Sequence, residues 1–240
     1  MMGRTHAASG GLAFAVSAPL LSGLGVDLSP VGLAVGVVAA AGAAQLPDLD
    51  HPSSTVARAL GPLSGALARV VAAISGGHRQ GTHSLVGVAS FTVLALLADQ
   101  AGTSGRTVVA VLLLVFASAG LHLRLSRAPV LHLAVCALAG FVIVAACPEV
   151  SGGVVPVAVV VGAAAHLFGD ALTREGIPVL WPLRHDRVRL ATLTTGGLTE
   201  RLLIGPAMLV AAVVLTWHLT GGVAATDLYG VVVHTMSGAR

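Results

Sequence analysis

Residues 30–52 read PVGLAVGVVAAAGAAQLPDLDHP. Seventeen residues without a charge, Pro30 to Leu46, run directly into Pro47-Asp48-Leu49-Asp50-His51-Pro52. A helix of that length rises about 25 Å, near the lower limit for crossing a bilayer. Pro47 ends it, because a proline pushes the residue before it out of helical geometry. Two carboxylates and an imidazole then stand at the mouth of an apolar helix. Ionisable groups are costly there without partners, so the rest of the chain is expected to bring partners to Asp48, Asp50 and His51.

Composition agrees with a membrane setting. Of 240 residues, 55% are hydrophobic and only 10% charged, where soluble domains run near a quarter. The expected fold is all-α: a polytopic bundle of about seven transmembrane helices, over residues 7–25, 30–46, 84–101, 106–122, 129–147, 153–171 and 200–219. The first of these is read as a retained helix rather than a signal peptide, since Ser9-Gly10-Gly11 interrupts the run and six more apolar segments follow. Residues 1–219 form one membrane-embedded domain on this reading, and 220–240 a flexible tail. Between the second and third segments, residues 53–75 carry Val56, Leu60, Leu63, Leu67, Val70, Val71 and Ile74 at helical spacing. That pattern suits a helix on the membrane surface or one folded against the bundle, broken in either case at Gly61-Pro62. Gly32 and Gly36, four apart, allow close helix approach within the bundle or in a dimer. The oligomeric state is left open.

All thirteen basic residues are arginine. With the N-terminus inside and seven alternating spans, Arg4; Arg58, Arg69 and Arg79; Arg124 and Arg127; and Arg174, Arg184, Arg187, Arg189 and Arg201 fall on one side. Only Arg106 and Arg240 fall opposite. The positive-inside rule makes the richer side cytoplasmic. The arginines scatter along loops without an aromatic-rich patch, so nucleic acid is not an expected partner. Cys136 and Cys147 share one apolar segment and do not suggest a disulfide framework.

Four polar groups stand at the expected cytoplasmic ends: Thr5-His6; Asp48, Asp50 and His51; His78-Arg79-Gln80-Gly81-Thr82-His83-Ser84; and His166 with Asp170 and Thr173. His166 and Asp170 are four apart and share a helix face. A set of imidazole nitrogens and carboxylate oxygens without cysteine suits zinc first, with manganese or iron as alternatives. Six or seven such groups would allow one ion or two, and a pair suits phosphoester hydrolysis. The expected metal ligands are His6, Asp48, His51, His83, His166 and Asp170, with Asp50 and His78 as further ligands or as acid and base. Arg79 is expected to clamp an anion, and Ser84 and Thr82 to donate hydrogen bonds.

These motifs, together and in this order, resemble the YdjM family of inner-membrane metal-dependent hydrolases. The resemblance covers about residues 1–182, ending at Leu180-Trp181-Pro182. It departs at Gln80, where glycine is expected, and at Gln45, where an apolar residue is expected; neither removes a ligand. The resemblance implies a multi-pass inner-membrane protein with a metal site built from these histidines and aspartates, and hydrolysis as its chemistry. A site level with the headgroups suggests an amphiphilic or lipid-linked substrate within the bilayer. The competing readings are a metal or solute transporter, which would need polar groups mid-span, and a non-catalytic membrane scaffold.

Overall fold

The computed structural model describes residues 1–26, 28–123, 128–147 and 153–221. Arg124, Arg127 and the expected tail from residue 222 lie outside the described residues. Among the described residues there are eight α-helices and no strands: α1 Gly3–Gly23, α2 Pro30–Ala43, α3 Pro62–Ser75, α4 Leu85–Gln100, α5 Gly102–Leu121, α6 Pro129–Ala146, α7 Val154–Ala171 and α8 Gly205–Leu219. Short 3₁₀ turns at Pro47–Asp50, Val56–Arg58 and Gly81–His83, and a π-turn at Glu200–Ile204, complete the path.

Local chemistry sets the boundaries. Ser29 caps α2, accepting from the Gly32 N–H at 3.0 Å, and Pro30 fills the first turn, where its missing N–H costs nothing. Ser84 caps α4 in the same way, accepting from the Gly87 N–H at 3.3 Å. Gly61, at φ 61°, hands over to Pro62 and divides the 53–75 stretch as its sequence suggests. α3 then ends on Gly76 in the left-handed conformation, the usual glycine stop.

Seven spans were expected, and four helical stretches are long and apolar enough to cross a membrane: Pro30–Asp50, Gly102–Leu121, Val154–Ala171 and Glu200–Leu219. The shortfall has physical causes. α4 has 16 residues, a rise of about 24 Å against a hydrocarbon core of about 30 Å. The apolar part of α6, Val130–Ala146, is similarly short. α1 is long enough, but Arg4, Thr5, His6, Ser9, Gly10 and Gly11 dilute its first three turns.

α1, α2 and α7 form the centre, with α8 against α1, α5 against α2, α4 against α5 and α7, and α6 on the outside of α5. Small residues let these helices touch backbone to backbone. A Cβ on Gly162 of α7 would lie 2.3 Å from the Ala40 carbonyl of α2, and one on Gly42 would lie 2.1 Å from the Leu113 carbonyl of α5. Gly36 receives the ring of Phe14, so that glycine serves the bundle. The amphipathic α3 divides its faces: Ser64 and Ala68 are buried against the 3₁₀ turns, while Leu63, Leu67, Val70 and Ile74 face outward. It is therefore both packed on the bundle and apolar outside.

Candidate metal centre

Each polar group identified in the sequence sits at a helix end, and the packing brings those ends together. His6 lies in the first turn of α1, and Asp48 and Asp50 lie just beyond α2. His78 to His83 precede α4, while His166 and Asp170 occupy the last two turns of α7. Gly76, Gly77 and Arg79, at φ 81°, 103° and 57°, turn the chain sharply after α3. That turn directs the Arg79 N–H and the side chains of His78, Thr82 and His83 at one carboxylate, Asp50.

The innermost contact joins two histidines. His83 Nε2 and His166 Nε2 stand 3.2 Å apart. Asp48 Oδ1 lies 3.7 and 3.8 Å from them, and Asp170 Oδ2 lies 3.6 and 3.7 Å away. These separations resemble the edges of a coordination tetrahedron, about 3.3–3.4 Å for bonds near 2.0–2.1 Å. The far side of each ring fixes its tautomer. His166 Nδ1 donates to the Ala44 carbonyl at 2.6 Å, and His83 Nδ1 donates to Thr82 Oγ1 at 3.0 Å. The Thr82 proton goes to Asp50, whose Oδ2 lies 3.2 Å from the same His83 nitrogen. Each Nε2 thus directs its lone pair at the same point as two carboxylates. Without a cation or a proton between them these four atoms repel. A carbonyl or carboxylate behind each imidazole is the usual support of a metal-binding histidine. The donor set fits a divalent cation.

His6 completes the inner wall. Its ring stacks on His166 with centroids 3.6 Å apart, Nε2 lies 3.2 Å from Asp170 Oδ1, and its buried Nδ1 has no partner. The Met1 amine also meets Asp170 Oδ1. The ligand atoms of His6, His166 and Asp170 lie within 4.8 Å of one another, and so do those of Asp48, Asp50, His78 and His83. The His83–His166 contact joins the two groups.

A family model described as YdjM inner membrane protein matches residues 1–125 and 130–237. The chain belongs to the YdjM family. No curated protein and no solved structure matches it. Membership and the four membrane-length helices together make the chain an inner-membrane protein.

Within this YdjM chain the remaining residues take distinct places. Asp50 is a hub: it accepts from His78 Nδ1 at 2.8 Å, the Arg79 N–H at 3.0 Å and Thr82 Oγ1 at 2.5 Å, besides its contact with His83. The His78 side chain is about one-third exposed, so this Asp–His pair opens to the surface. Arg79 is buried; one terminal nitrogen holds Asp170 Oδ2 at 2.9 Å and the other Thr173 Oγ1 at 3.0 Å. Ser84 is fully buried, and its hydroxyl donates to the Gly81 carbonyl at 2.6 Å while capping α4. His51 stands outside both ligand groups, bonded through Nδ1 to Ser53 and edge-on to His78 at 4.5 Å. His122 lies away from the cluster, beside Arg4.

Burial opposes a charge on His83, yet the Asp48 and Asp50 carboxylates outweigh it and raise its pKa to about 9. In the cation-free protein a proton on Nε2 therefore takes the place of a cation. Two buried partners carry little sequence signal. Gln45 donates to the Gly3 carbonyl at 2.9 Å and fixes the start of α1, and Glu200 accepts from the Met2 and Gly196 N–H groups at 2.5 and 2.7 Å.

Proposed function

We propose that this protein is a metal-dependent hydrolase acting at the cytoplasmic membrane surface on a phosphoester of an amphiphilic substrate. The observation that carries the reading is the convergence of the His83 and His166 lone pairs with the carboxylates of Asp48 and Asp170. A divalent cation held there would supply Lewis acidity and activate water for hydrolysis. Zinc suits the donor set first, with manganese or iron as alternatives.

The chain's own residues divide the remaining work. His83, His166, Asp48 and Asp170 would hold the cation, and His6 would support Asp170 or serve a second ion. Asp50 fixes two imidazoles at once, orienting His83 as a ligand and His78 as a proton carrier. His78 keeps its Nδ1–H on Asp50, which leaves Nε2 on the accessible side to take a proton from water or return one to a leaving group. Asp48 is the one partly exposed member of the inner four, at 18%, so substrate enters across it. Ser84 serves as a cap rather than a nucleophile, because both bonding directions of its hydroxyl are committed.

The location supports an amphiphile. The cluster gathers at one common end of the helices that carry its residues, and we take that end as the cytoplasmic one. Deeper in the bundle is an apolar cavity of about 160 Å³, lined by Val35, Val38, Leu113, Leu114, Ile143 and Val155. Leu114 packs in one apolar cluster with Leu46 and Leu49, the neighbours of Asp48. Apolar side chains thus line the bundle between the site and that cavity. Polar ligands gathered at helix ends rather than mid-span favour surface chemistry over transport.

The test is phosphate release from phospholipid or lipid-linked phosphate in vesicles by the purified protein. Release before chelation, loss after it and recovery on adding back zinc or manganese are expected; equal rates with and without chelator would sink the reading.

A further inference from the structure

Beyond α7 the chain folds back over the site as an irregular clamp. Thr173 bridges to Leu193 and Ile177 to Val188, and the Leu85 N–H donates to the Val179 carbonyl at 3.0 Å, tying the clamp to the start of α4. The clamp places Glu175 over Arg79. Its carboxylate, 65% exposed, stands 3.4 Å from the Arg79 nitrogen that also holds Thr173. Arg187 donates to the Glu175 carbonyl at 3.4 Å, and the Arg189 side chain passes directly over Gly176. Arg79 thus meets the exposed carboxylate itself, while Arg187 holds the backbone of the same residue and Arg189 packs on its neighbour. The opposite edge of Arg79 holds the ligand Asp170, so this carboxylate sits one side chain away from the metal centre.

The arrangement is poor as a structural ion pair and good as a binding site. An exposed carboxylate gains little from such a pair. The buried guanidinium, however, is fixed by Asp170 and Thr173, and it presents a donor matched to carboxylate and phosphate oxygens alike. Its Nε lies buried without a partner, so the group is not saturated by the protein. A phosphate brings more acceptor oxygens than a carboxylate, and Arg187, already anchored on the Glu175 backbone, is the nearby cation those extra oxygens would recruit.

We propose that Glu175 marks an oxyanion subsite, its carboxylate holding the position that a phosphate oxygen of the substrate takes when it binds Arg79 and Arg187. The idea rests on the hydrolase reading for the word substrate, and it narrows that substrate to a phosphorylated headgroup. Glu175 lies at the surface and can swing into water when displaced, leaving no cavity behind.

The experiment is calorimetric binding of inorganic orthophosphate to the full chain in detergent, metal-loaded and chelated, for wild type, Glu175→Gln and Arg187→Gln. Both altered residues are exposed, so the fold is kept. Glu175→Gln should bind phosphate about tenfold tighter in both forms, since a competitor filling the subsite about nine-tenths of the time lowers apparent affinity by that factor. Arg187→Gln should bind more weakly than wild type. A Glu175→Gln affinity equal to or below wild type overturns the subsite. Tighter phosphate binding without any lipid hydrolysis keeps the subsite and removes the hydrolase reading. Chelator-sensitive hydrolysis with unchanged phosphate affinity in Glu175→Gln does the reverse.

Discussion

His83 Nε2 and His166 Nε2 face each other at 3.2 Å, one just before α4 and the other near the end of α7, with no intervening side chain. Each ring is held from behind, by Asp50 and by the Ala44 carbonyl. The strength of the site therefore depends on groups that need not touch the ion. Asp50→Asn keeps the shape of the side chain but loses the charge that orients His83 and His78. Metal affinity should fall about 10–100-fold, the usual cost of removing such a support. His166→Ala, which removes a ligand, should abolish stoichiometric metal. Elemental analysis of the purified variants measures both, and full metal content in His166→Ala would mean that the ion binds elsewhere.

The raised pKa of His83 makes metal uptake and stability depend on pH in opposite senses. Its ordinary value is about 6.5, and its value in the cation-free fold is about 9. The contribution of the charged ring to stability is complete below about 6.5 and fades as pH rises through 9. A cation needs the neutral ring, so loading near neutrality should release a proton from His83. Apparent affinity should then rise with pH up to about 9. Titration calorimetry in buffers of different ionisation enthalpy measures the released proton, and thermal unfolding of the chelated protein follows the stability arm. Metal uptake without proton release at pH 7 would contradict the raised value.

The polar groups were legible in the sequence because ligand-type residues are conspicuous in a chain with so little charge. His6, Asp48, His83, His166 and Asp170 could be named by residue type and helix end alone. The division of labour among them was not legible. It depends on which ring nitrogen faces which oxygen, and that is decided by the turn through Gly76, Gly77 and Arg79 and by the Ala44 carbonyl. The span count was overstated because apolar runs end where helices also need length, and α4 stops at Gln100 after 16 residues. Glu175 carried no signal: it comes to Arg79 only through the bridges of Thr173 and Ile177, and it is ninety-six residues away in sequence.

Ser84 separates a structural hydroxyl from a chemical one. It accepts from the Gly87 N–H and donates to the Gly81 carbonyl, with no exposure. Ser84→Ala should therefore cost about 1 kcal/mol of stability, as loss of an N-cap does. Turnover of the folded variant should stay within a few-fold of wild type, because metal-assisted hydrolysis needs no serine nucleophile. Unfolding measurements and steady-state rates on one preparation decide it. A loss of several orders of magnitude in rate with stability unchanged would instead mark Ser84 as the nucleophile.

Helix packing is coupled to the metal centre through α7. Gly162 lies one turn before His166 and lets α7 touch α2 at Ala40, where an added Cβ would sit 2.3 Å from the carbonyl oxygen and 2.8 Å from the Ala43 Cβ. Backbone cannot yield as a flexible side chain can. Gly162→Ala should therefore push α7 away from α2 at a cost of about 1–3 kcal/mol, the usual range for overpacking. The same displacement lengthens the His166–Ala44 bond, which is 2.6 Å long and fixes the ring that faces His83. Metal affinity should drop even though no ligand has changed. Gly23→Ala, at a position where an added Cβ meets nothing within 4 Å, is the matched control and should retain wild-type metal content. Comparing metal stoichiometry and melting temperature of the two variants tests the coupling. Gly162→Ala with full metal and lowered stability would show that the centre tolerates movement of α7.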